Sequence, residues 1–233
     1  MTGQSALRGA GEPAGSSLVV VCDFDGTVTE EDVCLQLLDR FAGDGWRRLE
    51  DEYESGRIDL QTCLVGQVGL FGVSRGEMVA WARQHARLRP GFAEFVAYCR
   101  RRGVPFFLVS AGLDFYIEAI LEREGIEGLD ITCIATETLG ERVRVVLPLA
   151  GYAELANLSD FKEVIVREHK ARGKRVVYIG DGSTDFRAAR HADHVFARDK
   201  LLAYCERHAL ACLAYETFAD VQRGLEELLA AAE

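Results

Sequence analysis

Leu18-Val19-Val20-Val21-Cys22-Asp23-Phe24-Asp25-Gly26-Thr27 sets an unbroken apolar run directly against two carboxylates, a glycine and a hydroxyl. A short run rich in β-branched side chains predicts a buried strand. Chemically active groups gathered at a strand's end are what an open parallel α/β sheet presents to its ligand. The fold turns on whether the rest of the chain alternates strand and helix around this element.

Beyond residue 90 it does. Helix 91–102 stops at Gly103, strand 105–109 follows, then Ser110-Ala111-Gly112 and a helix 113–124 ended by Gly125. Ile131–Ala135 and 142–147 carry strand character around Leu139-Gly140-Glu141, which predicts a hairpin excursion. A helix from Asp160 to Ala171, a strand 175–179, the loop Gly180–Asp185 with a helix 185–190, a short strand 195–197 and C-terminal helices complete the pattern. Strands alternating with helices predict an α/β protein with a Rossmann-like, doubly wound parallel sheet.

The stretch from Glu31 to Leu88 differs. Its apolar positions recur at helical spacing, Gly43-Asp44-Gly45, Gly56 and Gly72 cut it into about four helices, and Ser74 with Glu77 forms a capping-box pair opening the last. Some 60 residues are far more than a crossover needs, so residues 31–88 are expected to form an inserted α-helical bundle cap. Residues 17–30 and 89–233 then make the α/β core, and 1–16, rich in Gly, Ala and Ser, a loose tail.

At 233 residues the chain has ordinary globular composition, 48% hydrophobic and 27% charged. Its formal charge of −10 argues against nucleic acid or an anionic membrane as partner. No stretch reaches the roughly 20 apolar residues of a membrane span. The seven cysteines form an odd set without a C-x-x-C pair and read as reduced thiols of a cytoplasmic protein. Oligomeric state stays open.

Neighbouring parallel strands bring their C-terminal ends to one edge, so the residues after Cys22, Val109 and Ile179 are expected to converge. These are Asp23, Asp25 and Thr27; Ser110 and Gly112; and Asp181, Ser183, Thr184 and Asp185. Clustered carboxylates repel one another, and hard oxygen donors select Mg²⁺, which also pairs with substrate phosphate. Asp23 can act as nucleophile, with Asp25 as acid and base. Thr27, Ser110 and a lysine can hold phosphate oxygens, and helix N-termini favour the anion. Lys162 stands out because a cation in a helix's first turn opposes the dipole. Asp-Gly pairs are also common turns, Ser110 could cap a helix, and Lys162 could be a solvated lysine. The cap positions Arg48, Glu52, Gln67 and Arg75 read as a solvated face, Trp46 and Trp81 as bundle core, and the five histidines as surface or core.

Asp23-Phe24-Asp25-Gly26-Thr27-Val28 resembles the nucleophile motif of the haloacid dehalogenase superfamily, and Leu108-Val109-Ser110-Ala111-Gly112 its second motif. Lys162 is similar to the third, and Gly180-Asp181-Gly182-Ser183-Thr184-Asp185 to the acidic fourth. The resemblance implies Asp23 as nucleophile and metal ligand, Asp25 as acid/base and a ligand through its carbonyl, Asp181 as third protein ligand, and Asp185 as support for the metal's waters. The helical insertion resembles the phosphoserine phosphatase branch, where Asp32 falls at the position of a substrate-reading glutamate. Within that branch, 110–115 and 196–202 are similar to methionine-salvage sugar-phosphate phosphatases. These features together predict a Mg²⁺-dependent phosphatase of a small phosphorylated metabolite. Phosphoserine hydrolysis, phosphoryl transfer to another hydroxyl as in a mutase, and a receiver-like phospho-switch are the alternatives.

Overall fold

The structure is a computed structural model that describes residues 16–140, 142–147 and 158–231. The tail expected at 1–16 falls, but for Ser16, outside the described residues.

The opening apolar run is β1 (Leu18–Cys22), and every one of its side chains is buried. A strand covered on both faces has no need of polar alternation, which is why the run is continuous. β1 pairs in parallel with β2 (Phe106–Leu113) on one side and with β6 (Arg175–Gly180) on the other. β3 (Asp130–Ile134) extends the sheet beyond β2, while β7 (His194–Ala197) and the two-residue β8 (Leu213–Ala214) extend it beyond β6. The order is β3-β2-β1-β6-β7-β8. The chain thus winds outward from β1 in one direction and returns to continue in the other, so the switch point lies between the C-terminal ends of β1 and β6.

Adjacent side chains of β2 show the two layers. Phe106 meets Phe92 and Phe95 of α5 (Phe92–Arg101), and both of those rings meet Phe218 of α10 (Phe218–Ala230). Phe107 points the other way, to His169 of α7 (Phe161–Ala171). Successive strand residues face opposite sides, so α5 with α10 and α7 cover opposite faces of the sheet. Two further core helices, α8 (Phe186–Ala189) and α9 (Asp199–Arg207), follow β6 and β7.

Between β1 and α5 lie the four expected helices: α1 (Val33–Phe41), α2 (Gly45–Glu54), α3 (Leu60–Gly69) and α4 (Arg75–His85). The Ser74–Glu77 capping box forms as read. α4 packs on α6 (Asp114–Arg123), and α3 packs on the hairpin of β4 (Thr136–Leu139) and β5 (Arg142–Val145). The hairpin is therefore real, but Ile131–Ile134 belongs to β3 of the main sheet, and its first arm is β4.

The two segments entering and leaving the insertion run side by side. Thr29 and Leu88 form an antiparallel bridge, Glu30 N donates to Arg87 O at 2.9 Å, and Arg89 N to Val28 O at 2.8 Å. The buried Arg89 guanidinium spans the crossing, donating to the carbonyls of Gly26 at 2.7 Å, Thr27 at 2.8 Å, Thr29 at 3.0 Å and Glu30 at 3.2 Å.

Candidate active site

The three expected strand ends meet. Asp23 follows β1 and is fixed through its own N–H, which donates to Ile179 O of β6 at 2.9 Å. Lys162, in the first turn of α7, is fully buried, and its Nζ lies 2.7 Å from Asp23 Oδ1 and 2.7 Å from Asp185 Oδ1. It also donates to Thr184 Oγ1 at 3.1 Å. A cation set against its own helix dipole is held by two carboxylates instead. Burial pushes the Lys162 ammonium down, but Asp185 and Asp23 more than reverse this and hold it above its ordinary value.

The two acids of the 180–185 loop have different duties. Asp185 Oδ1 accepts from Lys162 and from Tyr178 Oη at 2.7 Å, while Oδ2 accepts from the N–H groups of Asp181 at 3.0 Å and Gly182 at 2.9 Å. It thus shapes the loop and anchors the lysine. A Cβ on Gly180 would come within 2.5 Å of its Oδ2, so that position requires glycine. Asp181 faces the cavity and accepts from Thr27 Oγ1 at 2.7 Å. Thr27, expected on phosphate oxygens, thereby sits behind Asp181. Gly26 has φ of +74°, and a Cβ there would lie 2.4 Å from Asp181 Oδ2.

One oxygen each of Asp23, Asp181 and Asp185 lie within 4.8 Å of one another, an all-oxygen set able to hold a hard cation. Burial, then repulsion from Asp185, pushes Asp23 up to about 7, against the opposing pull of Lys162. Burial, then the charges of Asp23 and Asp185, pushes Asp181 up to about 9. Burial likewise holds Asp25 well above the usual carboxylate range.

The segment 110–112, expected as a turn feeding a helix, is instead the end of β2, which runs on to Leu113. Its pairing with β3 shifts register between Val109 and Leu113. Ser110 is not a helix cap: its buried Oγ accepts from Gly112 N at 2.9 Å. A hydroxyl that accepts in this way keeps its own proton for donation. Gly112 is required by crowding, since a Cβ there would meet Tyr116 Oη at 2.1 Å and Asp25 Oδ2 at 2.3 Å.

A cavity of about 260 Å³ lies over these groups. Asp23, Asp25, Ser110, Gly112, Lys162 and Asp181 form its base, and α1–α3 its other wall. That wall offers Leu35, Leu60, Leu64, Cys34 and Cys63 beside Asp32, Glu50, Tyr53 and Gln67. Of the four insertion residues singled out in the sequence, Gln67 alone lines the cavity, donating to Glu50 Oε2 at 2.9 Å. Asp32 caps α1 through Leu35 N at 2.8 Å, and burial pushes it up to about 6. Glu50, Tyr53, Tyr116 and Tyr178 were not legible as site residues. No sequence spacing signals them, because the partners that give them meaning stand on other elements.

An acidic cluster with a buried lysine thus lies at the switch point of a doubly wound sheet and beneath a helical insertion, a place where a hard cation and an anionic group can be held together. Residues 20–190 match the haloacid dehalogenase-like hydrolases. The chain is 37% identical over 213 residues to the 2-hydroxy-3-keto-5-methylthiopentenyl-1-phosphate phosphatase of Geobacillus kaustophilus, covering 91% of this chain and 96% of that one. It is 34% identical, with the same coverage, to the phosphatase of that name from Brevibacillus brevis. A solved phosphoserine phosphatase, as a phospho-aspartyl intermediate analogue, superposes with a TM-score of 0.65 at 21% identity, covering 90% of this chain and 98% of that chain; this shows the fold. The chain belongs to the haloacid dehalogenase-like hydrolase family, as a phosphoric monoester hydrolase. Among the described residues no helix is long and apolar enough to cross a membrane.

Proposed function

We propose that the protein is a Mg²⁺-dependent phosphatase that hydrolyses a small phosphomonoester through an aspartyl-phosphate on Asp23. Residues 17–30 and 89–233 serve as the core and 31–88 as a cap over the leaving group. The observation that carries this reading is that Asp23, Asp25, Lys162 and Asp181, from three separate parts of the chain, line one cavity.

Asp23, Asp181 and the backbone carbonyl of Asp25 would hold the cation, with Asp185 supporting them from behind. The donor set suits it: one ammonium, Lys162, serves a cluster of three acids, two of them still pushed up to about 7 and about 9, and every donor is a hard oxygen. Bound Mg²⁺ supplies charge neutralisation and polarises the phosphoryl group.

Asp23 attacks phosphorus in line, the ester P–O bond breaks, and the proton on Asp25 passes to the leaving oxygen. Water then adds to phosphorus and gives its proton to Asp25, and the bond from Asp23 to phosphorus breaks. Inorganic phosphate leaves and both carboxyls are restored. Lys162 and the Ser110 hydroxyl hold phosphoryl oxygens, while Thr27 fixes Asp181.

The cavity's far wall supports a thio-sugar phosphate of the kind named for the relatives. Leu35, Leu60, Leu64 and the thiols of Cys34 and Cys63 suit an apolar thioether end, and Asp32, Glu50 and Gln67 suit hydroxyl donors. Among the described lining residues the cations are Lys162, held by Asp23 and Asp185, and Lys200, paired with Glu54, so each is already engaged and an amino-acid carboxylate is poorly received, which disfavours phosphoserine. Seven free cysteines fit work in the cytoplasm.

Phosphate release is to be measured over thio-sugar, sugar and amino-acid phosphates with and without Mg²⁺. Asp23→Asn is expected to abolish turnover while the circular dichroism spectrum is kept. Near-native turnover by Asp23→Asn with Mg²⁺ would overturn the nucleophile assignment.

A further inference from the structure

Asp25 is held from two directions. Its Oδ1 accepts from Val33 N at 3.0 Å, the first residue of α1 in the helical insertion. Its Oδ2 accepts from the hydroxyl of Tyr116, on core helix α6 and 91 positions away. Tyr116 is fully buried among Phe24 and Phe115. The pair exists because residue 112 has no side chain: a Cβ there would overlap both members. None of this is needed for packing, since phenylalanine would fill the same ring space. A buried hydroxyl aimed at one carboxylate oxygen sets which way that carboxyl faces.

Resting on the acid/base role proposed for Asp25, we infer that Tyr116 is a positioning residue for the proton transfers. Each oxygen of the Asp25 carboxyl accepts one hydrogen bond, Oδ1 from Val33 N–H and Oδ2 from Tyr116, so the plane of the carboxyl is fixed and a remaining lone pair is left to carry the proton towards the leaving oxygen. Because Tyr116 stands on the core and Val33 on the insertion, the carboxyl is correctly aimed only when both are in place. The contribution is felt where a proton must move, and not where phosphorus is attacked by Asp23 with a leaving group that needs no proton.

The test is Tyr116→Phe, which removes one oxygen and preserves the ring. With an alkyl phosphate, whose leaving oxygen must be protonated, kcat is expected to fall roughly tenfold with KM unchanged, a part of the ~10²–10⁴-fold that acid–base catalysis supplies. With p-nitrophenyl phosphate, whose leaving group departs as the anion, the pre-steady-state burst of nitrophenolate should fall less than twofold. In the Asp25→Asn background, Tyr116→Phe should have no further effect on either rate. Equal losses in alkyl turnover and nitrophenyl burst, or losses that multiply in the double variant, would show a role not exercised through Asp25 and overturn the inference. So would an alkyl kcat equal to that of the unmodified enzyme. If Asp25→Asn alone keeps full activity, it is the acid/base assignment beneath the inference that fails, and the two failures are told apart.

Discussion

Lys162 shows how one side chain can set the state of two others. It is buried between Asp23 and Asp185, at 2.7 Å from each. Removing it leaves two carboxylates in a dry place without their cation, and breaking a buried pair from one side costs ~3–5 kcal/mol. Lys162→Met should therefore lower metal-free stability by about 3 kcal/mol, read as a shifted urea midpoint, and lower turnover at least a hundredfold; an unmoved midpoint would mean the ammonium contributes nothing net. This lysine was legible because a cation at a helix start is locally misplaced, and the acids because each follows a strand. Tyr116 and Arg89 were not. In sequence Tyr116 is one more aromatic in a helix, and the bond that gives it meaning reaches Asp25 across 91 positions. Arg89 reads as a surface charge beside a proline, yet its guanidinium serves carbonyls some 60 residues earlier.

At the scale of elements, the apolar strands and the four insertion helices could be read closely, since burial on two faces or on one stripe leaves a period in the sequence. Where burial is slight the period vanishes. Thr136–Leu139 is largely exposed and rich in polar residues, so its strand went unread and the neighbouring β3 was assigned to the hairpin. Leu213–Ala214 is exposed and only two residues long. Ser110-Ala111-Gly112 suggested a turn from composition, although the chain there stays extended so that Tyr116 and Asp25 can meet over Gly112. The paired segments at 28–30 and 87–89 likewise have no pattern of their own and depend on Arg89. An ammonium cannot serve carbonyls spread over residues 26–30 as a planar five-donor guanidinium does. Arg89→Lys should therefore cost about 2 kcal/mol, the scale of a charged hydrogen bond lost in a buried place. Proteolysis should then cut first within residues 26–32 or 86–90. Unchanged stability and a cleavage pattern like the unmodified protein's would mean that the backbone bridge suffices without the clamp.

Across the whole molecule, an acidic protein of net charge −10 concentrates part of its carboxyl groups at one cavity and, by the function proposed, must admit an anionic ester there. The consequence is a coupling among protons, cation and stability whose sign follows from the carboxyl shifts. Asp23 lies near 7 and Asp181 near 9 in the folded chain, against about 3.9 when unfolded. Between the unfolded and folded values the native state keeps protons that the unfolded chain has released. Stability without metal must then decline as pH rises from about 4, and the cost is complete only above the Asp181 value. A divalent cation binding the ionised acids opposes this decline and competes with the same protons, so its stabilisation should grow over that window. Melting temperatures measured with and without millimolar Mg²⁺ should differ little at pH 5.5 and by several degrees at pH 8.5, with the metal-free value falling between them. A Mg²⁺-induced rise that is constant with pH, or larger at pH 5.5, would place the cation away from Asp23 and Asp181. Asp181→Asn provides the control, because an amide carries no charge for the cation to neutralise, so the upward trend with pH should flatten.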